Sequence, residues 1–134
     1  MSDDLTLPSL SATALLRAYL ANIRDPEKAA SLFADDGVIE LPWVNARVQG
    51  RAAVAGLVSN LLRMIPDFAF KSVQFWIETP DKVYAEYTVE AVVAATGKLY
   101  RQTYCGVLIA EDGKIKLLRE ALNTSEANRA FSKD

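Results

Sequence analysis

Two side chains in this sequence have the chemistry and the setting to move a proton: Glu120 and Tyr19. Glu120 alternates with its neighbours so that Leu118 and Leu122 share its face of an extended strand. If that face is inward, desolvation raises the pKa of the carboxyl group, which can then act as a general base near neutral pH. Tyr19 lies on the apolar stripe of a predicted helix, where its hydroxyl can donate to a carbonyl oxygen while its ring packs.

Both residues also have a purely structural interpretation. Glu120 can pair with an arginine, bond to Tyr19, or face outward beside Lys116. Its strand carries mixed residue types on both faces, so alternation alone does not decide which face is inward. Tyr19 can equally be a core tyrosine whose hydroxyl is satisfied by a backbone carbonyl.

The residue types that are missing restrict the chemistry further. The sequence has no histidine, which excludes Ser-His-Asp triads, Cys-His pairs and histidine-containing zinc sites. Its one cysteine, Cys105, has no partner for an internal disulfide and is expected to behave as a small buried hydrophobe. Gly97 directly precedes Lys98, but the other glycines of a phosphate-binding loop are absent. We therefore expect no metal and no nucleotide cofactor.

Five further residues allow two interpretations each. Trp43 can cap a ligand or close the hydrophobic core at the open end of the fold. Arg101 can be the partner that keeps Glu120 charged, or a rim residue that extends to water. Glu40 points inward only if its strand slips by one residue. Glu86 and Glu90, which share a strand face with Thr88 between them, could suggest metal binding, but without a third ligand they are expected to be solvated carboxylates.

Length, composition and charge describe an ordinary globular chain. We predict one domain over all 134 residues, with residues 1–9 flexible. The net charge of -2 and the lack of a basic run argue against a nucleic-acid partner. The acidic N-terminus does not look like a signal peptide, and no segment approaches 18 uninterrupted apolar residues. These features predict a cytoplasmic protein without a membrane partner.

The first half of the chain is predicted to be mostly helical. A helix capped by Ser9 or Ser11 carries apolar residues at spacings of three and four from Ala12 to Ile23. Asp25-Pro26-Glu27 begins a second helix, which is expected to include Phe33 and to end at the turn Asp35-Asp36-Gly37. A short strand from Val38 to Leu41 and a loop from Trp43 to Gln49 follow. A third helix is predicted from Arg51 to Ile65, ended by Pro66.

Four long strands and a short final helix near Ser125 complete the prediction. The strands run over 68–78, 82–94, 98–110 and 114–123, separated by turns that contain proline or glycine. Long antiparallel strands bend, so this order predicts an α+β fold: a cone-shaped, strongly curved, mainly antiparallel (mixed) sheet wrapped around three helices and enclosing an apolar pocket.

Three segments resemble the SnoaL-like and ketosteroid isomerase-like superfamily, which shares its fold with nuclear transport factor 2. They are 32–42 (LFADDGVIELP), 49–51 (QGR) and the pair 112–115 (DGKI) and 118–120 (LRE). The resemblance covers residues 12–124. It implies a ligand held inside the cone, between the helices and the concave face of the sheet, and it implies that Glu120 faces that pocket.

Only part of the catalytic pattern of the superfamily is matched. The resemblance places the isomerases' proton-shuttling aspartate at Leu41, their second acid at Cys105, and their oxyanion-binding tyrosine at Tyr19. The limonene epoxide hydrolases have an arginine and an aspartate where this chain has Tyr87 and Val89, and their last-strand acid corresponds to Glu120. The polyketide cyclases use an aspartate with a nearby histidine, and no histidine is present here.

The resulting hypothesis is an enzyme of isomerase, cyclase or hydrolase type that acts on an apolar, carbonyl-bearing small molecule. Glu120 and Tyr19 are its expected catalytic residues. The expected pocket is lined by Leu41, Trp43, Tyr87, Val89, Arg101, Thr103, Cys105, Leu118 and Leu122. Two alternatives stay open: a non-catalytic carrier of an apolar ligand, and a protein-interaction module. The resemblance also implies a homodimer through the outer sheet face, where Tyr84, Tyr100 and Tyr104 could form an apolar patch.

Overall fold

The computed structural model describes residues 10–134, and its helices follow the sequence signals closely. Those residues form four α-helices: α1 (Ala12–Ala21), α2 (Pro26–Ser31), α3 (Arg51–Met64) and α4 (Thr124–Phe131). The Ser11 side chain caps α1 by accepting from the backbone N–H of Ala14, and Asp25 caps α2 in the same way. The predictions made for residues 1–9, including Ser9 as a cap, lie outside the described residues.

A six-stranded mixed sheet carries the rest of the fold. Its strands are β1 (Phe33–Leu41), β2 (Ala46–Gln49), β3 (Phe70–Glu78), β4 (Lys82–Val92), β5 (Leu99–Glu111) and β6 (Lys114–Leu122). Their order across the sheet is β2-β1-β6-β5-β4-β3. The β1–β6 pair is parallel and the other pairs are antiparallel. The sheet is curved and unclosed, and the α+β cone predicted from the sequence is confirmed.

The sequence prediction was wrong around β1. Phe33 begins β1 instead of belonging to α2, and residues 35–37 lie inside that strand. The pairing of β1 with β6 shifts between Phe33 and Val38, so the polar Asp-Asp-Gly run forms an irregularity within a strand and not a turn. The segment expected as a loop contains a 3₁₀ turn, Pro42–Val44, and the edge strand β2.

The core lies between α1 and the inner face of the sheet. The stripe of α1 is buried, with Leu15 and Leu16 fully inaccessible to solvent. Strands β4 and β5 alternate strictly between buried and more accessible residues, so that Tyr87 and Tyr104 face inward as a cross-strand pair. Phe68 and Phe70 pack edge-on against this pair. Within residues 10–134, no helix is long and apolar enough to cross a membrane.

Candidate functional site

A buried carboxylate stands at the centre of the sheet. Glu120 is only 6% exposed, on the inward face of β6. The Tyr87 hydroxyl, from β4, donates a hydrogen bond of 2.6 Å to Glu120 Oε2. No hydrogen bond to the second carboxylate oxygen, Oε1, is found among residues 10–134. One oxygen of the carboxylate is therefore held by the protein, and the other is available to a ligand.

The contact between Tyr87 and Glu120 passes over a glycine. Gly106, on β5, is the direct neighbour of Glu120 on β6 and of Ala85 on β4. A Cβ atom at position 106 would overlap the Tyr87 hydroxyl. Because glycine has no side chain, the phenol of Tyr87 can lie across β5 and reach the carboxylate one strand beyond.

Burial tunes the acidity of this site. Desolvation raises the pKa of Glu120 to about 7, while the hydrogen bond from Tyr87 acts in the opposite direction. Burial, and then the negative charge of Glu120, hold the pKa of Tyr19 well above its ordinary value of 10.0. Near neutral pH, Glu120 can thus gain or lose a proton, whereas Tyr19 remains a neutral hydrogen-bond donor.

Glu120 forms part of the wall of a cavity of about 110 Å³ that is partly open to solvent. The cavity has four polar residues: Tyr19, Asn60, Tyr104 and Glu120. Its other walls are apolar and come mainly from α3, the end of β1 and the aromatic residues Phe68 and Phe70. Met64 belongs to this wall and is 39% exposed, so it lies where the cavity meets solvent.

A second polar cluster reaches the cavity from the sheet. Gln102 is buried, and its Nε2 donates to the hydroxyl of Tyr100 over 3.1 Å. The hydroxyls of Tyr100 and Tyr104 are hydrogen-bonded at 2.9 Å. Apart from the tyrosines, Glu120 and Gln102 are the two polar or charged residues that are buried within the described part of the chain. Each is hydrogen-bonded to one tyrosine hydroxyl, Glu120 to that of Tyr87 and Gln102 to that of Tyr100.

The structure brings some of the predicted site residues together at the cavity. Glu120, Tyr19 and Leu41 contribute to its wall. Four others lie on the inner side of the fold without forming that wall: Tyr87 holds Glu120, and Val89, Leu118 and Leu122 pack in or against the core. The prediction that the Glu120 side of β6 faces inward agrees with this geometry.

Three of the predicted pocket residues on β5 face the wrong way for that role. Arg101, Thr103 and Cys105 alternate with the buried residues of the strand and lie on its outer face. Arg101 pairs with Glu90 at 3.1 Å, so it is not a partner for Glu120. Cys105 Sγ lies 4.0 Å from Glu86 Oε2, on the outside of the sheet. The error arose because both faces of β5 carry polar and apolar residues, so the pattern did not identify the inner face.

Trp43 and Glu40 also lie away from the cavity. Trp43 is 65% exposed in the 3₁₀ turn and is not among the side chains of the wall. Glu40 forms ion pairs with Arg119 and Arg47 on the outer face. The strand therefore has the register in which Leu41 points inward, and the alternative of a one-residue slip is wrong.

The predicted outer patch of three tyrosines must be corrected as well. Tyr84 is on the outer face, where its hydroxyl lies 3.5 Å from Glu86 Oε2. Tyr100 and Tyr104 are buried on the inner face, at 3% and 6% exposure. Sequence reasoning thus missed Tyr104 as a cavity residue and Gln102 as its support. The pairing of Tyr104 with Tyr87 across two strands was the signal that could have placed it, since directly opposed residues share a face.

These features together define a class of protein. A curved, unclosed, six-stranded mixed sheet with helices is the architecture of the nuclear transport factor 2-like cone fold. The model of the SnoaL-like domain matches residues 13–118, which is most of the chain. The protein belongs to the SnoaL-like domain family.

Individual relatives agree with this assignment. The chain is 26% identical over 123 residues to the uncharacterized protein YesE of Bacillus subtilis, covering 87% of this chain and 84% of that protein. A crystal structure of a candidate isomerase from Bacillus subtilis is 25% identical and superposes with a TM-score of 0.81, covering 92% and 94% of the two chains. A candidate polyketide cyclase from Xanthomonas campestris shares the fold, with a TM-score of 0.80 at 23% identity over 90% and 96% of the chains.

Proposed function

We propose that this protein is an enzyme that moves a proton on a small, apolar, carbonyl-bearing molecule held in the cavity. Glu120 is the general base and Tyr19 the hydrogen-bond donor to the carbonyl oxygen. The observation that carries the proposal is the buried Glu120 carboxylate at the cavity wall, whose Oε1 has no hydrogen-bond partner among residues 10–134 and whose pKa is raised by burial to about 7. The structural relative assigned as a candidate isomerase supports this reaction class.

The proposed step follows from the chemistry of the two groups. Oε1 of ionised Glu120 takes a proton from the carbon next to the substrate carbonyl, so a C–H bond breaks and a carboxylic O–H bond forms. The electron pair left behind moves onto the carbonyl oxygen, which becomes an enolate. The Tyr19 hydroxyl donates to that oxygen and stabilises its charge. If the substrate has a C=C bond β,γ to its carbonyl, the enolate is a dienolate, and return of the proton from Glu120 to the γ carbon shifts the double bond and completes an isomerisation. Attack by the α-carbon of the enolate on an internal electrophile completes a cyclisation instead.

The size of the cavity restricts the substrate. A volume of about 110 Å³ is well below the range of about 300–1,000 Å³ typical of pockets for drug-sized ligands. Cavities of about 150 Å³ hold a single benzene ring. This cavity is smaller still, so one ring of about six atoms is the upper limit for a substrate held inside it, and a four-ring steroid would have to extend past Met64 at its edge.

Ligand binding comes first in the test. Thermal unfolding of the wild type is measured with cyclic ketones of one to four rings, including steroids, aromatic polyketide-like compounds and terpenoids. A ligand at about 100 times its Kd adds about 2.7 kcal/mol, which corresponds to a rise of several degrees in Tm. We expect one-ring ketones to raise the Tm and steroids to leave it unchanged.

Catalysis is then measured on the ligands that bind. Exchange of the protons next to the carbonyl for deuterium in D2O, followed by NMR, reports proton abstraction without knowledge of the natural product. Glu120→Gln should bind the ketone and lose about 10²–10⁴-fold in exchange rate. Glu86→Gln makes the same chemical change on the outer face of the sheet and should exchange like the wild type.

The outcomes distinguish the proposal from its alternatives. Ketone binding without catalysed exchange in the wild type would identify a carrier, since a carrier needs only the cavity. If no ketone raises the Tm, the cavity does not take such ligands, and the protein-interaction alternative replaces the enzyme.

We further propose that two copies pair through the outer face of the sheet. Ile77, Tyr84 and Val107 lie opposite one another in a row across β3, β4 and β5. Ile77 is 64% exposed and Val107 is 38% exposed, so this row presents apolar surface to solvent. Trp76, beside Ile77, is also more than half exposed. A second copy of the chain would cover these side chains.

A further inference from the structure

Gln102 has an orientation that is determined by the backbone around it. Its Oε1 accepts from the N–H groups of Asn123, at 2.7 Å, and of Thr103, at 3.1 Å. Because both neighbours on that side are donors, the amide oxygen must face them and the Nε2 group must face the other way. Nε2 then donates one hydrogen to the carbonyl of Asn123, at 3.0 Å, and the other to the hydroxyl of Tyr100.

This orientation determines the direction of the next hydrogen bond. The Tyr100 oxygen accepts from Gln102, and its own proton needs an acceptor because the residue is buried. The acceptor within reach is the Tyr104 oxygen at 2.9 Å. In the opposite direction, Tyr104 would donate to Tyr100, and the Tyr100 proton would be left without a partner among the described residues. The chain therefore runs from Gln102 to Tyr100 to Tyr104.

The last proton of this chain belongs to Tyr104, whose side chain forms part of the cavity wall. Its oxygen already accepts from Tyr100, and no acceptor for its hydrogen is found among residues 10–134. Donors in such a chain polarise one another, which strengthens the terminal donor. We propose that Tyr104 is a specificity-determining donor in the cavity, oriented by Gln102 and Tyr100, and that it selects ligands carrying a hydrogen-bond acceptor over hydrocarbons of the same shape.

This inference deepens the proposed function, since it assumes that a ligand occupies the cavity. Tyr104, which lies on β5 opposite Tyr87, is then a second hydrogen-bond donor to the ligand, in addition to Tyr19 on α1. It also connects the cavity to α4, because Asn123 accepts and donates at Gln102 and caps that helix through its side chain. The chain of hydrogen bonds thus begins at the N-terminal end of α4 and ends at the ligand.

The direction of the chain can be tested without any ligand. In protein labelled with 13C at the tyrosine ζ carbon and dissolved in a mixture of H2O and D2O, a slowly exchanging hydroxyl gives two resolved resonances. We expect this doubling for Tyr100, whose proton is enclosed, and a single averaged resonance for Tyr104. Doubling at Tyr104 with averaging at Tyr100 would mean that the chain runs the other way, and the proposal would be wrong.

Selectivity is tested with two ligands of matched shape, cyclohexanone and methylenecyclohexane, which differ in whether an oxygen or a CH2 group ends the double bond. The wild type should prefer the ketone, and Tyr104→Phe should lower the ketone affinity about fivefold to tenfold, the value of one hydrogen bond, while leaving the alkene affinity unchanged. Tyr100→Phe should lower the ratio of ketone affinity to alkene affinity by a smaller factor than Tyr104→Phe does. Tyr84→Phe, on the outer face, is the matched control and should keep the wild-type ratio.

The ratio of the two affinities separates recognition from structural damage. A loosened cavity binds both ligands more weakly, whereas a lost donor affects the ketone alone. An unchanged ratio in Tyr104→Phe overturns the proposal, and so does a wild type that binds neither ligand. The 13C measurement on the tyrosine hydroxyls needs no ligand. If it confirms the chain direction while no ketone binds, then the proposed function has failed and the hydrogen-bond chain itself stands.

Discussion

At the scale of single residues, the site consists of one buried acid and the hydroxyls around it. Glu120 is surrounded by Tyr19 and Tyr104 at the cavity wall and by Tyr87 behind it. A buried carboxylate without a cationic partner is costly in its charged form, so the environment favours the protonated state. The same burial that makes Glu120 a suitable base near pH 7 must then cost stability when the group ionises.

Replacement of Glu120 by glutamine should reveal that cost as a function of pH. Below pH 4.5 the carboxyl is neutral in both the folded and the unfolded state, and its contribution to stability is fully present. As pH rises through about 7, the folded protein must give up a proton that the unfolded chain has already lost, and the contribution disappears. From pH 4.5 to pH 8, the wild type should lose about 3 kcal/mol relative to Glu120→Gln.

Urea unfolding of both proteins at several pH values measures this difference. Comparison with the variant cancels the pH dependence that all other groups contribute to the free energy of unfolding. The difference between the two proteins near pH 4.5 is the reference for the differences at higher pH. Parallel curves for the two proteins across this range would mean that Glu120 ionises like an exposed carboxylate, and its assignment as a base near neutral pH would fail.

At the scale of elements, the site depends on the register of three neighbouring strands. Ala85, Gly106 and Glu120 stand opposite one another on β4, β5 and β6. The central position of this row has to be glycine for the Tyr87 hydroxyl to lie over it. The glycine thus belongs to the site although it has no functional group of its own.

A methyl group at position 106 should disrupt the site. Gly106→Ala places its Cβ against the Tyr87 hydroxyl, so the bond to Glu120 is displaced and the protein should lose about 1–3 kcal/mol. Loss of a bond that lowers the pKa of Glu120 should also move the pH midpoint of the exchange activity upward from about 7. Stability is measured by urea unfolding, and the midpoint by the deuterium-exchange rate.

Gly56→Ala is the matched control for this substitution. Gly56 lies within α3 with no atom within 4 Å of a Cβ added there. Alanine in a helix interior is better than glycine by about 0.5–1 kcal/mol, so the control should be stabilised. If Gly106→Ala is tolerated as well as Gly56→Ala, the close approach of Tyr87 does not exist in solution.

At the scale of the whole molecule, the cone has an inner and an outer face with different tasks. The inner face buries the core and the cavity. The outer face carries ion pairs such as Arg101–Glu90 and Arg119–Glu40 around exposed apolar residues. Apolar centres with charged rims are the usual composition of protein interfaces.

The proposed homodimer predicts twice the 14.7 kDa of one chain in size-exclusion chromatography with light scattering. Ile77→Lys should shift the protein toward the monomer, because a lysine charge in the centre of the interface must be desolvated. Val44→Lys removes another exposed apolar side chain, but from the 3₁₀ turn, and should remain dimeric. A wild type that is monomeric at high concentration would contradict the dimer, and equal behaviour of the two variants would place the interface elsewhere.

Local signals in the sequence determined where the helices begin, the four long strands and the turns between those strands. Ser11 and Asp25 cap their helices as their types predict, since capping needs only a side-chain oxygen and the next three residues. The strand β2 could not be found in this way, because a four-residue edge strand owes its structure to pairing with β1 and not to its own pattern.

The identity of the site was only partly determined by the sequence. Glu120 and Tyr19 were predicted as site residues: the apolar stripe of its helix indicated Tyr19, whereas the inward direction of Glu120 came from the resemblance to the superfamily and not from the alternation of its strand. Tertiary structure alone decided that Tyr104, and not Arg101 or Cys105, reaches the cavity, and that Tyr87 holds Glu120 across Gly106. The physical reason is that a strand has two faces of similar composition here, and the choice between them depends on which face buries more apolar surface against distant residues.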